Sequence, residues 1–385
     1  MKLGTRGSEL ARWQAEWVRD RLATQGVRAE IVLIKTRGDA EVDRPLHELE
    51  GKGFFTKEIE DALLDGRIDV AVHSLKDLPT GLPPGLTLGA IPVRHDPREA
   101  LVNGRSLADL PAGTRVGTSS LRRVAQVRFL RPDLEVVPLR GNVPTRVRKV
   151  ETHDGLDAAL LAIAGLERLG LGGKGSVIDP LDVMPAPGQG ALGLEIRDDD
   201  KTTRKALQRL HDPVSAAAVG AERTLLAELG GGCQAPVAAY CGEWGNGKSR
   251  LYGRVTSNDG SVQLTASADL DKQRGSPSAV SVSLRDQAFA VAPANSKCAF
   301  HDVRNNRYAV SFLKKIVGYA LIRCAHDFGQ DVCRALRALC FVGLLCGRCL
   351  GLGQEYRRVA SKGDGCCRGN DKDFFRSHDW FLISV

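Results

Sequence analysis

The sequence predicts an α/β protein with two similar lobes around a central cleft, followed by a small α+β domain. Two observations support this fold class. Short apolar runs alternate with amphipathic helical patterns up to about residue 210, which is typical of helices packed on a sheet. After Asp212 the pattern changes to one long helix, a glycine-rich loop and three strand-like runs.

The first lobe begins with a helical pattern after Ser8, which can serve as the N-cap. A strand, a helix and a second strand are then predicted at residues 29–34, 55–64 and 69–73. This β-α-β alternation implies a mostly parallel sheet, in which ligands gather at the carboxyl ends of the strands. Ser74, Lys76 and Asp77 lie at one such end.

A second α/β unit opens after the proline-flanked crossover at residues 92–97. Its strands and helices are predicted at residues 114–117, 121–129, 134–139 and 143–149, with further apolar segments at 157–164 and 192–196. We therefore predict domain 1 at residues 1–94 and 191–210, domain 2 at 95–190 and domain 3 at 211–271. Residues 272–385 form a separate tail of irregular structure.

The net charge of +8 lies entirely in this tail. Residues 271–385 hold 18 Lys and Arg against 10 Asp and Glu, and they contain eight of the ten cysteines. The preceding residues are electrically neutral and contain only Cys233 and Cys241, which is typical of a reduced, intracellular protein. The longest uncharged apolar run, 338–347, is about half of the ~20 residues that span a membrane. We expect a cytoplasmic protein with no nucleic-acid or membrane partner.

Several cations fall at the ends of predicted elements. They are Arg6, Lys52, Lys76, Arg122, Arg123, Arg140, Arg146 and Arg168. Any one of them can be a solvated surface charge, but their shared placement indicates an anion-binding cleft. Guanidinium groups bind carboxylates with two parallel hydrogen bonds, so a polycarboxylate ligand fits, and a phosphate ligand fits nearly as well. No glycine-rich nucleotide-binding motif is present.

Two single residues have alternative interpretations. Asp77 is either a turn residue paired with Lys76 or a carboxylate that stabilises a positively charged intermediate. Cys233 follows three glycines, and it is either a small buried residue or a loop cysteine that serves as a nucleophile or attachment point. The cysteine spacings of the tail match no pair of zinc knuckles, so no metal site is expected.

Taken together, these motifs resemble the porphobilinogen deaminase family, also called hydroxymethylbilane synthases. The matching stretches occur in the order of the family: TRGS at 5–8, GKGFFTKE at 51–58, VHSLKDLP at 72–79, GTSSLRR at 117–123, LRGNV at 139–143, AGLERLG at 164–170, PGQGA at 187–191 and GGCQAP at 231–236. The ordered set across residues 1–270 is highly specific, whereas no single stretch is.

The resemblance implies a transferase that deaminates four porphobilinogens and joins them into the linear tetrapyrrole hydroxymethylbilane, in porphyrin biosynthesis. It implies that Cys233 holds a dipyrromethane cofactor through a thioether and that Asp77 is the catalytic carboxylate. The other cofactor-binding positions that it implies are Lys52, Ser74, Lys76, Ser120, Arg122 and Arg123. The substrate-binding positions that it implies are Arg6, Ser8, Phe55, Arg140, Arg146, Arg168 and Gln189. It also implies solute-receptor-like lobes, a monomer and no metal.

The resemblance ends near residue 271, before the normal end of the third domain of the family. We therefore expect an incomplete third domain, followed by either an unrelated extension or out-of-frame sequence. The alternative function is a cytosolic anion-binding protein with a solute-receptor fold. The glycine loop with Cys233 argues against that alternative.

Overall fold

The computed structural model describes residues 1–36, 56–230, 236–244 and 248–270, together with a few helical positions between 277 and 287. All of these fall within the unit Met1–Val291. The strands are β1 (Lys2–Thr5), β2 (Glu30–Leu33), β3 (Val70–Ser74), β4 (Leu86–Ala90), β5 (Glu99–Val102), β6 (Arg115–Gly117), β7 (Glu135–Val137), β8 (Ala158–Ala162), β9 (Gly175–Val177), β10 (Leu192–Arg197), β11 (Val237–Trp244), β12 (Lys248–Thr256) and β13 (Gln263–Asp269). The α-helices are α1 (Glu9–Ala23), α2 (Lys57–Leu64), α3 (Leu121–Leu130), α4 (Val143–Glu151), α5 (Ile163–Arg168), α6 (Lys201–Leu207) and α7 (Pro213–Glu228).

The first lobe is built on the five-stranded sheet β2-β1-β3-β10-β4. Helix α1 begins where the Ser8 hydroxyl accepts a hydrogen bond from the Ala11 amide, as predicted for the N-cap. The buried side chains of Ala15, Val18 and Leu22 then place one face of α1 on the sheet. This packing holds the β1–α1 turn at the carboxyl edge of the sheet.

The second lobe repeats this arrangement in the sheet β7-β6-β8-β5-β9. Helix α4 begins at Asn142, whose side chain accepts from the Thr145 amide at 2.9 Å, with Pro144 in the first turn. Val147 and Val150 on α4 pack against the hydrophobic core of this lobe. The fold class is therefore confirmed for both lobes.

The prediction of mostly parallel sheets was wrong for half of the strand pairs in each sheet. In the first sheet β1 is parallel to β2 and β3, but β10 is antiparallel to β3 and β4. In the second sheet β6 is parallel to its neighbours and β5 is antiparallel to both of its own. The reason is topological, because β5 and β10 enter their sheets from the two connections between the lobes rather than from a β-α-β crossover.

The third domain packs α7 on the antiparallel sheet β11-β12-β13. Gly253 lies at the centre of this packing, where an added Cβ would come within 2.7 Å of Leu225 and 2.8 Å of Val280. Val280 and Leu284 are almost fully buried. Residues beyond the predicted domain end at 271 therefore contribute to this core.

Candidate functional site

The turn that carries Asp77 follows directly from β3. It is a single 3₁₀ turn, Leu75–Asp77, whose two flanking leucines, Leu75 and Leu78, are buried while Asp77 is exposed. The Leu75 amide donates to Ala191 O at 3.0 Å and the Leu78 amide to Leu75 O at 3.2 Å. The apolar anchors thus hold the backbone while they leave the carboxylate outside the core.

A pocket opens beside Asp77 at the carboxyl ends of β1 and β3. Its lining brings together four predicted residues, Arg6, Ser8, Ser74 and Asp77, with Leu10, Ala11, Gln14, Thr56, Ile59, Val72 and His73. The Gln14 side-chain amide donates to the Ser74 hydroxyl at 2.9 Å, so the floor of the pocket is held by a side-chain pair. The first lobe therefore contributes a carboxylate, a cation and several hydroxyl groups to one concave surface.

Lys76 points toward the other lobe. Its ammonium donates to Gln189 Oε1 at 3.4 Å, and the Gln189 side-chain amide donates to Pro97 O at 2.8 Å. The pKa of Lys76 is lowered to about 8, mainly by burial and to a smaller extent by Arg123 and Arg122, while Asp77 and Glu99 oppose this shift. Lys76 and Gln189 therefore link the Asp77 turn to both segments that cross between the lobes.

Arg122 and Arg123 lie at the start of α3, and both are buried against the carboxylate of Glu99 on β5. Arg122 Nη2 lies 2.6 Å from Glu99 Oε1, and Arg123 Nη2 lies 2.7 Å from Oε2. Burial alone would raise the pKa of Glu99, but Arg123 and Arg122 hold it at about 2. One buried carboxylate thus compensates part of the charge of two arginines and fixes their direction.

Ser120 precedes these arginines at the N-cap of α3. Its side chain makes no capping hydrogen bond, and its amide donates to the Thr118 hydroxyl at 3.3 Å. The amides of the first helical turn have no intrahelical acceptor, which favours an anion at this position. The helix therefore starts at the predicted place, and anion binding there stays a prediction.

Arg140 and Arg146 flank the start of α4. Arg146 Nε donates to Gly141 O at 2.8 Å. The pKa of Arg146 is lowered to about 10, mainly by burial and to a smaller extent by Arg123 and Arg140, while Asp77 opposes this shift. These mutual effects place the three arginines and the Asp77 carboxylate in one electrostatic environment.

Arg168 ends α5 and contacts elements of both lobes. Its Nη2 donates to Gly190 O at 2.7 Å, and its guanidinium carbon lies 5.8 Å from the centroid of the Trp13 ring on α1. Burial lowers the pKa of Arg168 to about 10, against the opposing charge of Glu167. His95 packs edge-on against Trp13, with ring centroids 6.0 Å apart.

Three of these arginines have a buried nitrogen with no hydrogen-bond partner within the part of the chain that the structure describes. The atoms are Arg123 Nε, Arg140 Nη2 and Arg168 Nε. A buried N–H group without an acceptor costs about 1–3 kcal/mol. These atoms therefore indicate a site that receives acceptor oxygens, as carboxylates would supply.

Several residues around the site escaped the sequence analysis. Glu99 could have been suspected, because it is a charged residue at the start of an apolar strand. Glu222 and Arg223 similarly interrupt the apolar run of α7. The partners of these residues are distant in sequence, so no local pattern could predict the contacts. Lys52, Phe55 and Cys233 lie outside the described residues.

Two family models match the chain. Residues 1–205 match the dipyrromethane cofactor-binding domain of porphobilinogen deaminase, and residues 216–289 match its C-terminal domain. The chain belongs to the porphobilinogen deaminase family. The second match extends 18 residues beyond position 271, which agrees with the burial of Val280 and Leu284.

Curated relatives support the same family. The porphobilinogen deaminase of Syntrophotalea carbinolica is 54% identical over 245 residues, which cover 62% of this chain and 78% of that protein. The porphobilinogen deaminase of Geobacter sulfurreducens is 50% identical over 271 residues, covering 69% and 85%. Members of the porphobilinogen deaminase family are transferases of tetrapyrrole biosynthesis, so the predicted family, enzyme class and cofactor are confirmed.

Solved structures with a similar architecture include a periplasmic substrate-binding protein of an ABC transporter from Coxiella burnetii. It is 14% identical, covers 56% of this chain and 94% of its own, and has a TM-score of 0.33. Within the described ranges, no helix is long and apolar enough to cross a membrane. No group of three or more His, Cys, Asp or Glu in those ranges could hold a metal ion.

The cofactor of porphobilinogen deaminases carries carboxylates on its pyrrole rings, and the described residues fit such a group. The unpartnered nitrogens of Arg123, Arg140 and Arg168 can each donate to a carboxylate oxygen. Lys76, Ser120 and Ser74 add further donors at the ends of strands. The cleft of this deaminase therefore has the donor set that a pyrrole polycarboxylate requires.

Proposed function

We propose that this chain synthesises hydroxymethylbilane in the cleft, with Asp77 as the catalytic carboxylate and the second lobe's arginines as the carboxylate-binding groups. The observation that carries this assignment is the occurrence of an exposed Asp77 together with buried guanidinium N–H groups that have no acceptor within the described residues. This chemistry needs both a carboxylate near the reacting pyrrole and donors for the carboxylates of the pyrroles.

The chemistry of Asp77 follows from its charge and its position. Porphobilinogen loses ammonia and leaves a cation on the pyrrole, and a fixed carboxylate nearby lowers the energy of that cation. The same carboxylate can accept a hydrogen bond from a pyrrole N–H group, which orients the ring. Because the reaction repeats, one Asp77 serves all four condensations.

The arginines bind the acetate and propionate groups that every pyrrole brings. Each condensation adds two negative charges to the growing chain, so the cleft must supply several cations. Arg140, Arg146 and Arg168 are proposed to bind substrate carboxylates together with Arg6, Ser8, Phe55 and Gln189. Arg122, Arg123, Lys76, Ser74, Ser120 and Lys52 are proposed to bind those of the cofactor.

The cofactor supplies the primer on which the chain is built, and we propose that the thiol of Cys233 holds it. The only other cysteine before residue 271 is Cys241. It is buried, and burial followed by the charge of Glu222 raises its pKa to about 12. A thiol that stays protonated is a poor nucleophile, which favours Cys233 as the attachment point.

We further propose that the enzyme is a cytoplasmic monomer whose first two domains are residues 1–94 with 191–210 and residues 95–190. We propose that the third domain begins at 211 and extends past the predicted end at 271, because Val280 and Leu284 lie in its core. The electrical neutrality of residues 1–270 supports the lack of a nucleic-acid or anionic-membrane partner.

Intact mass spectrometry tests the proposed attachment. Purified wild-type protein is compared with Cys233→Ser and with Cys241→Ser as the matched control. We expect a covalent adduct in the wild type and in the control, and none in Cys233→Ser. A folded wild-type protein without an adduct that binds porphobilinogen and does not consume it would favour the anion-binding alternative instead.

A further inference from the structure

Two adjacent charged residues on helix α7 of the third domain, Glu222 and Arg223, contact residues of the lobes and of the segments between them. Glu222 is fully buried, and its carboxylate accepts hydrogen bonds from the guanidinium of Arg94 at 2.8 and 3.0 Å. It also accepts from the amide of Gly188 at 2.7 Å and from that of Cys241 at 2.7 Å. Glu222 thus joins both interlobe segments to the third domain.

The next residue, Arg223, contacts the turn that carries Asp77. Its guanidinium donates to Leu78 O at 2.9 Å and to Pro79 O at 2.7 Å, and it lies 3.4 Å from Leu75 O. These carbonyls lie immediately before and after the Lys76-Asp77 pair. One planar side chain therefore holds the backbone on both sides of the proposed catalytic carboxylate.

The backbone of this turn is short, so hydrogen bonds to its carbonyl groups help to fix its position. A 3₁₀ turn of three residues closes with a single backbone bond, here from the Leu78 amide to Leu75 O. On its other side, the Leu75 amide is bound to Ala191 O, next to the segment that Glu222 holds through Gly188. Helix α7 thus contacts the turn directly through Arg223. It also contacts, through Glu222, the segment that binds the Leu75 amide.

We propose that Arg223 is a positioning residue for Asp77, so that the third domain sets the geometry of the catalytic carboxylate. This inference rests on the proposed role of Asp77. In this role Arg223 acts through the backbone of residues 75–79, whose carbonyl groups accept hydrogen bonds from its guanidinium. Its loss therefore lowers the rate of the chemical step and leaves substrate binding by the arginines of the second lobe largely intact.

Three variants test this positioning role in the full-length, cofactor-loaded enzyme. Arg223→Gln removes the charge and the forked donor, and Arg223→Lys keeps the charge without the fork. Arg131→Gln is the matched control, because Arg131 donates to three backbone carbonyls, those of Leu107, Ala108 and Leu110, in the second lobe. Intact mass gives the loaded fraction of each variant, to which kcat is normalised.

We expect kcat of Arg223→Gln to fall about 10- to 100-fold while KM changes less than about threefold, since small misplacements of a catalytic group have effects of this size. Amide hydrogen exchange of the peptide covering residues 74–80 becomes faster in this variant, and Arg223→Lys recovers part of the rate. Arg131→Gln keeps kcat within about twofold of the wild type, because it loses stability only.

A kcat of Arg223→Gln equal to that of Arg131→Gln, with wild-type exchange at 74–80, would overturn the proposal. If Arg223→Gln does not load, Arg223→Lys decides: a reduced kcat per loaded molecule supports positioning, and a wild-type kcat refutes it. Asp77→Ala is measured in parallel. Normal turnover in Asp77→Ala would overturn the catalytic role of Asp77 as well, whereas its loss beside a normal Arg223→Gln overturns only the positioning role.

Discussion

The two lobes share one strand order but place opposite charges at equivalent positions. The third strand of the first sheet, β3, leads into the turn that ends at the acidic Asp77. The third strand of the second sheet, β8, leads into α5, which ends at the cationic Arg168. The same architecture thus places a carboxylate after a central strand of one lobe and a guanidinium after the equivalent strand of the other, which agrees with the proposed roles of these residues.

The first β–α turn of each lobe differs in the same way. In the first lobe Ser8 caps α1 with its side chain, so the helix amides are partly satisfied. In the second lobe Ser120 makes no such bond, and two arginines follow at once. The second lobe therefore leaves its helix start available for an anion, while the first lobe closes its own.

The two key carboxylates also differ in environment. Glu99 in the second lobe is fully buried between Arg122 and Arg123, whereas Asp77 in the first lobe is exposed. Burial beside two cations makes Glu99 a structural anion, whereas Asp77 lies at the protein surface, where a ligand can approach it. The environment of each acid, rather than its residue type, therefore distinguishes the two.

The largest structural effect is expected at Glu99. Glu99→Gln keeps the shape but turns an amide N–H₂ toward a guanidinium donor, so two buried cations lose their counter-charge. Breaking a buried pair in this way costs about 3–5 kcal/mol. The free energy of unfolding, measured by chemical denaturation, should fall by that amount.

A surface pair provides the control for this substitution. Lys174 and Glu151 lie 2.9 Å apart with both side chains about half exposed. Glu151→Gln should therefore cost less than about 1 kcal/mol. Equal losses of unfolding free energy in the two variants would mean that the buried ion pairs of Glu99 do not stabilise the second lobe more than a surface pair does.

Arg140 tests the binding role of the second lobe. Its buried Nη2 has no partner within the described residues, so Arg140→Gln removes no hydrogen bond of that atom from the folded protein. We expect kcat/KM for porphobilinogen to fall about 10- to 100-fold, the size of a lost charge-assisted hydrogen bond, with little change in stability. Arg148→Gln is the control, because Arg148 is exposed on α4, the helix that follows Arg140. An unaltered kcat/KM in Arg140→Gln would show that Arg140 does not bind the substrate.

A smaller effect is expected on lowering the pH. Because the folded-state pKa of Glu99 is about 2 against an ordinary value of 4.5, its stabilising contribution is complete above about pH 4.5 and is lost as the pH falls toward 2. Between pH 5 and pH 3 the wild type should lose about 2 kcal/mol more than Glu99→Gln, by the linkage between protonation and folding. Parallel losses, measured by denaturation at both pH values, would contradict the assigned environment of Glu99.

Features that depend only on neighbouring residues could be predicted from the sequence. Asp77 follows a strand in one continuous motif, and Ser8 precedes a helical pattern, so position and local structure could be read together. The helix of the third domain was predicted to follow Asp212 and forms at Pro213–Glu228, since Asp212 accepts from the Ser215 amide and Pro213 suits the first turn.

Features that depend on contacts between distant segments could not be predicted. The direction of β10 follows from its return out of the second lobe, which no local pattern encodes. Arg122 and Arg123 were predicted to bind an anionic ligand, which stays a prediction, and their contact with Glu99 on another strand was not foreseen. Arg223 contacts carbonyls more than 140 positions earlier in the chain, so its contacts with the Asp77 turn are visible only in the folded structure.

The most direct test of this account is the turnover of Asp77→Ala, with Asp199→Ala as an exposed acidic control outside the cleft. Since Asp77 is exposed, the variant should keep the fold, while the rate of hydroxymethylbilane formation per loaded molecule falls by about 10³-fold or more, as for loss of a main electrostatic contact. Asp199→Ala should retain the wild-type rate. A near-normal rate in Asp77→Ala would contradict the central claim that the first lobe supplies the catalytic carboxylate.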